Sequence, residues 1–78
     1  MQKVETWYKA EGYCAVEDFE LVSYLLFEAG VATLEELDPK AEDRTDFCFY
    51  TGDQAERDRI VGVFPQYNWT LSEEPAKD

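Results

Sequence analysis

The segment from Phe19 to Asp38, FELVSYLLFEAGVATLEELD, limits the folds open to this chain more than any other stretch. Phe19, Val22, Leu25, Leu26 and Ala29 recur at helical spacing and form one apolar stripe. Gly30 stands where a helix end calls for positive φ. Val31, Ala32, Thr33 and Leu34 then favour extended chain, so a strand is expected over Val31 to Leu37. A helix that closes on glycine and feeds a strand is half of a β–α–β unit.

The flanking segments supply the rest. Val4 to Ala10 reads as a first strand, with Val4, Tyr8 and Ala10 on one side and Trp7 on the other. Gly12 to Ala15 reads as the turn into the helix, whose positive N-terminus suits Glu17 and Asp18. Asp38-Pro39-Lys40 ends the second strand, and residues 41–44 read as a polar loop. Asp46 to Thr51 is apolar on both faces, as a central strand should be. Asp53, with Glu56 three residues on, resembles a capping box. Arg57, Ile60, Val61 and Phe64 give the second helix a short stripe, which Pro65 stops. Tyr67 to Ser72 alternates as a last strand.

The order βαββαβ predicts an α+β, ferredoxin-like sandwich: a four-stranded antiparallel sheet, order 4-1-3-2, with both helices on one face. Residues 1–72 form one domain on this reading, and residues 73–78 a polar tail that starts an interdomain linker. Phe19, Val22, Leu26, Phe49, Ile60, Phe64 and Trp69 are the expected core.

Catalytic chemistry is largely missing. The 78 residues include no histidine, the usual general base near neutral pH. Glycines 12, 30, 52 and 62 never cluster into a phosphate-cradling loop. The hydroxyls lack triad partners. Cys14 and Cys48 are too few and too separated for a disulfide framework or zinc site, and read as reduced, mostly buried thiols. Glu35, Glu36 and Asp38 could ligate a hard metal, but read better as a solvated acidic edge strand. Phe47, Phe49 and Tyr50 resemble an RNA-stacking platform, yet without basic company they read as core. No catalytic, cofactor-binding or metal-binding residue is therefore expected.

Charge narrows the partners. Eighteen acidic residues against seven basic ones give a net charge of −11. Such a surface repels phosphate backbones and anionic membranes and attracts basic proteins. Tyr24 and Phe27 project opposite the apolar stripe, framed by Glu17, Glu20 and Glu28. Tyr24, Phe27, Glu20 and Glu28 are the candidate partner-binding residues. The absence of an 18-residue apolar run or a leader, with two unpaired thiols, gives the expectation of a cytoplasmic monomer.

The segment Tyr24 to Asp38 resembles the first helix and second strand of the N-terminal domain of the bacterial ribosomal protein L-eleven methyltransferase family. Leu26, Glu28, Ala29 and Gly30 match its helix end, and Glu35, Glu36 and Asp38 its acidic strand end. Trp7 resembles the family's early tryptophan, and Thr45-Asp46 is similar to the approach to its apolar strand. The end at Lys77-Asp78 resembles the acidic link to its catalytic domain. The resemblance implies a substrate-recognition domain that is not an enzyme by itself. It would hold a basic ribosomal protein while a tethered catalytic domain, absent here, uses S-adenosylmethionine to methylate it. Two other readings share the residues: a small-molecule-sensing regulatory domain of the ACT type, and a free-standing acidic inhibitor that mimics nucleic acid.

Overall fold

The computed structural model describes residues 5–38 and 40–76. Its sheet has four antiparallel strands: β1 (Thr6–Ala15), β2 (Leu34–Leu37), β3 (Arg44–Thr51) and β4 (Thr70–Pro75). The spatial order is β2-β3-β1-β4, which is the expected 4-1-3-2 with β3 inside the sheet. Helix α1 (Phe19–Glu28) follows β1, and α2 (Gln54–Val63) follows β3. The architecture is the ferredoxin-like sandwich.

Register decides which residues meet the helices. Ala10 pairs with Phe49 and Gly12 with Phe47, so all four share one face of the sheet. Val22 and Leu26 of α1 and Ile60 of α2 close over that face in a single buried cluster with Ala10, Phe47 and Phe49. Phe19, Phe64 and Trp69 are half-buried against it, and the other expected core residues are fully buried. Phe47 and Phe49 thus belong to the core, as expected, and not to a stacking platform, whereas Tyr50, also read as core, lies half-buried on the opposite face because alternation turns it away from the helices. Fully burying each such side chain is worth about 1.5–3 kcal/mol.

The end of α1 forms as its glycine predicts. Gly30 adopts φ 113°, the Val31 amide donates to the Leu26 carbonyl at 3.1 Å, and the Gly30 amide donates to Phe27 at 3.1 Å. This is a Schellman motif, and its two outer residues, Leu26 and Val31, meet in the core. Arg59 of α2 adds a hydrogen bond from its guanidinium to the Ala29 carbonyl at 2.7 Å. The last turn of α1 carries no basic residue, so Arg59 supplies the cation its negative end favours. Asp53 caps α2, its carboxylate accepting from the Ala55 amide at 2.9 Å. Glu56 does not complete the capping box; it pairs with Arg59 instead.

Several expected boundaries move. The first strand runs through Gly12 to Ala15, where a turn was expected, because Gly12 lets an indole lie against the strand. Its expected start, Val4, lies outside the described residues. The second strand begins at Leu34, and Val31 is core-facing loop. Pro65–Tyr67 is a 3-10 turn, and Asn68 takes the left-handed conformation at φ 55°. These residues postpone the last strand from the expected Tyr67–Ser72 to Thr70–Pro75. Glu73, Glu74 and Pro75, read from the sequence as tail, pair with Tyr8, Trp7 and Thr6. Proline is tolerated there because β4 is an edge strand. Residues 77–78 lie outside the described residues.

Two stability predictions follow from this packing. Leu26→Ala should cost about 2–5 kcal/mol in urea unfolding, since Leu26 is fully buried between α1 and the sheet. Gly12→Ala should cost about 1–3 kcal/mol, because its Cβ would stand 2.9 Å from the Trp69 ring and 3.0 Å from the Tyr67 carbonyl oxygen. A Gly12→Ala protein of parental stability would contradict this close fit.

Candidate functional site: the open face of the sheet

None of the described elements covers the face of the sheet turned away from the helices. Alternation places Trp7, Lys9, Glu11 and Tyr13 of β1 on it, with Arg44, Asp46, Cys48 and Tyr50 of β3 beside them. Glu35 joins them from β2 and Glu74 from β4.

One half of this face is locked by ion pairs. Asp46 is only 2% exposed, and its carboxylate accepts from Arg44 Nε at 2.9 Å and from Arg44 Nη2 at 3.0 Å. The same guanidinium stacks 3.9 Å from the centre of the Tyr13 ring. The Arg44 guanidinium holds the Asp46 carboxyl below its ordinary range. Lys40 Nζ lies 3.9 Å from Glu11.

The other half opens into a cleft of about 480 Å³ lined by Trp7, Ala32, Thr33, Glu35, Tyr50 and Glu74. Its volume falls in the range of small-molecule sites. Trp7 is 39% exposed, so its indole lines the cleft and is not consumed by the core. Trp7 pairs directly with Glu74, and Tyr50 lies diagonally across from Trp7. Lys9 Nζ already sits 5.6 Å from the centre of the Tyr50 ring, an internal example of an ammonium held by that aromatic. Two aromatic rings and two carboxylates around a cleft suit an organic cation.

Both thiols are held toward their protonated form. Burial pushes the Cys48 thiol above its ordinary range, Lys9 works against that, and Glu35, whose carboxylate accepts from Sγ at 3.7 Å, adds to it. Burial, with help from Asp18, raises Cys14 likewise. Glu35 and its neighbour Glu36 point to opposite faces of β2, so they cannot share a metal. The described residues contain no group of three metal-ligating side chains, and no helix among them is long and apolar enough to cross a membrane.

The candidate partner residues of the sequence lie elsewhere, on the outer side of α1. Tyr24 is 59% and Phe27 49% exposed, and Glu20 and Glu28 are exposed beside them. The structure adds Leu21, 60% exposed, which the apolar stripe did not include. Trp7, Tyr50 and Glu74 were missed as site residues. The one available signal was the placement of Trp7 opposite Tyr8 and Ala10 in the first strand.

A scan against protein-family models returns no match, and a search of curated proteins returns none. Among solved structures, the chain is similar to CPII, a nitrogen regulatory PII-like protein from Thiomonas intermedia K12 bound to ADP, AMP and bicarbonate. The TM-score is 0.75 at 12% identity, covering 97% of this chain and 100% of that one. It is also similar to the C-terminal domain of the MgtC protein from Mycobacterium tuberculosis, at TM-score 0.64 and 9% identity, covering 97% and 93%. A de novo designed protein, Foldit4, aligns at TM-score 0.51 and 9% identity, covering 95% and 98%. At these identities the likeness is one of fold, and a designed chain among the neighbours underlines that this fold by itself carries no activity.

The ion-paired half of the face makes a prediction about acid. A carboxyl held below its unfolded value stabilises the fold above that value and loses its contribution as pH falls through the folded one. The Asp46 contribution should therefore be complete above about pH 4 and disappear below it. Urea midpoints measured from pH 5 down to pH 2.5 should fall more steeply for the parent than for Asp46→Asn. Parallel curves would contradict the assignment.

Proposed function

We propose that this chain is a non-catalytic regulatory domain that senses a small organic cation in the cleft of its open sheet face. The observation that carries the reading is the pairing of Trp7 and Tyr50 with Glu35 and Glu74 around one small-molecule-sized cleft. An ammonium group between the two rings gains cation–π attraction, and the carboxylates neutralise it. The likeness to a PII-like regulatory protein supports the regulatory part. It does not carry the ligand across. CPII was solved with ADP, AMP and bicarbonate, whereas the cleft here presents carboxylates. The described arginines are already engaged by Asp46, Asp58 and Glu56, which leaves them ill suited to a phosphate.

A second reading, the recognition domain of a ribosomal-protein methyltransferase, is supported by the resemblance of Tyr24 to Asp38 and by the exposed α1 residues. On it the partner is a basic ribosomal protein, and S-adenosylmethionine belongs to a tethered catalytic domain. None of the three structural neighbours named above is a methyltransferase domain.

Calorimetric titration with tyramine, choline, leucine and ADP separates the chemistries. Tyramine or choline should bind, and Trp7→Ala or Glu35→Gln should weaken that binding by about fivefold or more. ADP should give no binding heat. Tight ADP binding, or cation binding indifferent to Trp7→Ala, would overturn the proposal.

A further inference from the structure

The outer side of α1 is a second exposed surface, separate from the cleft. At 100° per residue, Leu21, Tyr24 and Phe27 fall within an arc of about 120°, and Glu20 and Glu28 lie within the same arc, with Glu17 in the 3-10 turn just before the helix. The three apolar side chains are each about half exposed or more. The buried residues of the helix, Val22 and Leu26, point the opposite way, so none of the described elements covers the arc. No lysine or arginine stands between Lys9 and Lys40. The helix thus brings only carboxylates to the arc, and the cation that the fold sets at its end, Arg59, is already paired with Glu56.

We infer that this face docks a basic segment of a partner protein that carries an apolar side of its own. Charge complementarity selects the occupant. A second copy would meet the face with the same carboxylates: in a two-fold pair Glu17, Glu20 and Glu28 oppose one another. An anionic lipid surface is repelled for the same reason. A lysine- or arginine-rich segment instead gains attraction during encounter, and its apolar side covers Leu21, Tyr24 and Phe27. The carboxylates set the association rate and its salt dependence, while the apolar residues set the dissociation rate. The inference does not depend on what the cleft binds.

A fluorescently labelled Lys/Leu peptide with an apolar side is the probe. A second peptide of equal charge, with serine for leucine, is its control. The Lys/Leu peptide should bind the full chain and the control peptide should bind at least about tenfold more weakly. Replacing Leu21, Tyr24 and Phe27 together by serine should weaken Lys/Leu binding by about tenfold or more, mainly by faster dissociation. The change Asp38→Asn with Glu42→Gln, which removes two negative charges outside α1, should alter it less than about twofold. Trp7→Ala should leave it unchanged. All the replaced residues are exposed, and circular dichroism confirms the fold of each variant. Equal weakening by that double change would reduce the face to general electrostatics and overturn the inference. Loss of peptide binding on Trp7→Ala would move the site to the cleft. A dimer in sedimentation that the serine variant dissolves would assign the face to a second copy.

Discussion

The indole of Trp69 resting on Gly12 is the contact on which the rest of this fold depends. A side chain at position 12 would collide with the ring, so the glycine creates the space that the indole fills. Phe47 and Phe49 meet the same ring edge-on, with centroids 5.6 and 5.5 Å away. The indole N–H donates to the Phe64 carbonyl at 2.7 Å, which ties the end of α2 to the sheet. One side chain therefore joins the central strands, the second helix and the entry to β4. In a domain of this size, with a thin core, such a junction outweighs any single ion pair.

That junction also explains how the two faces of the sheet come to differ. Phe47 and Phe49 of β3 and the indole of Trp69 are drawn to the helix side. Side chains of opposite parity, Tyr50 among them, are left on the open side, which none of the described elements covers. There the chain places aromatics beside carboxylates, as with Trp7 by Glu74. The buried Asp46 stays ionised because Arg44 meets it with two hydrogen bonds, so this half is closed by an ion pair while the Trp7 half stays open.

Local chemistry was legible in the sequence where one residue type decides the outcome. Gly30 marks the helix end because positive φ is cheap only for glycine, and Asp53 marks a cap because its carboxylate reaches an amide two residues on. The order βαββαβ and the doubly apolar Phe47–Tyr50 stretch led to the right sheet. The errors lie where tertiary contact overrides local pattern. Gly12 reads as a turn residue until Trp69 is known to lie on it. Glu73, Glu74 and Pro75 read as tail because they are polar, but an edge strand exposed on both faces accepts polar residues. The cleft could not be read at all from local pattern. It exists only because register sets Trp7 opposite Glu74 and diagonal to Tyr50.

The central claim, that the open face of the sheet binds a small cation while its covered face forms the core, can be tested with the two tryptophans as paired reporters. Trp7 stands in the cleft, and Trp69 is held in the core by the Phe64 carbonyl. In an NMR titration with tyramine, the indole N–H signal of Trp7 should move in proportion to occupancy while that of Trp69 stays in place. Movement of Trp69 with Trp7 stationary would contradict the account, and so would saturation with neither signal moving.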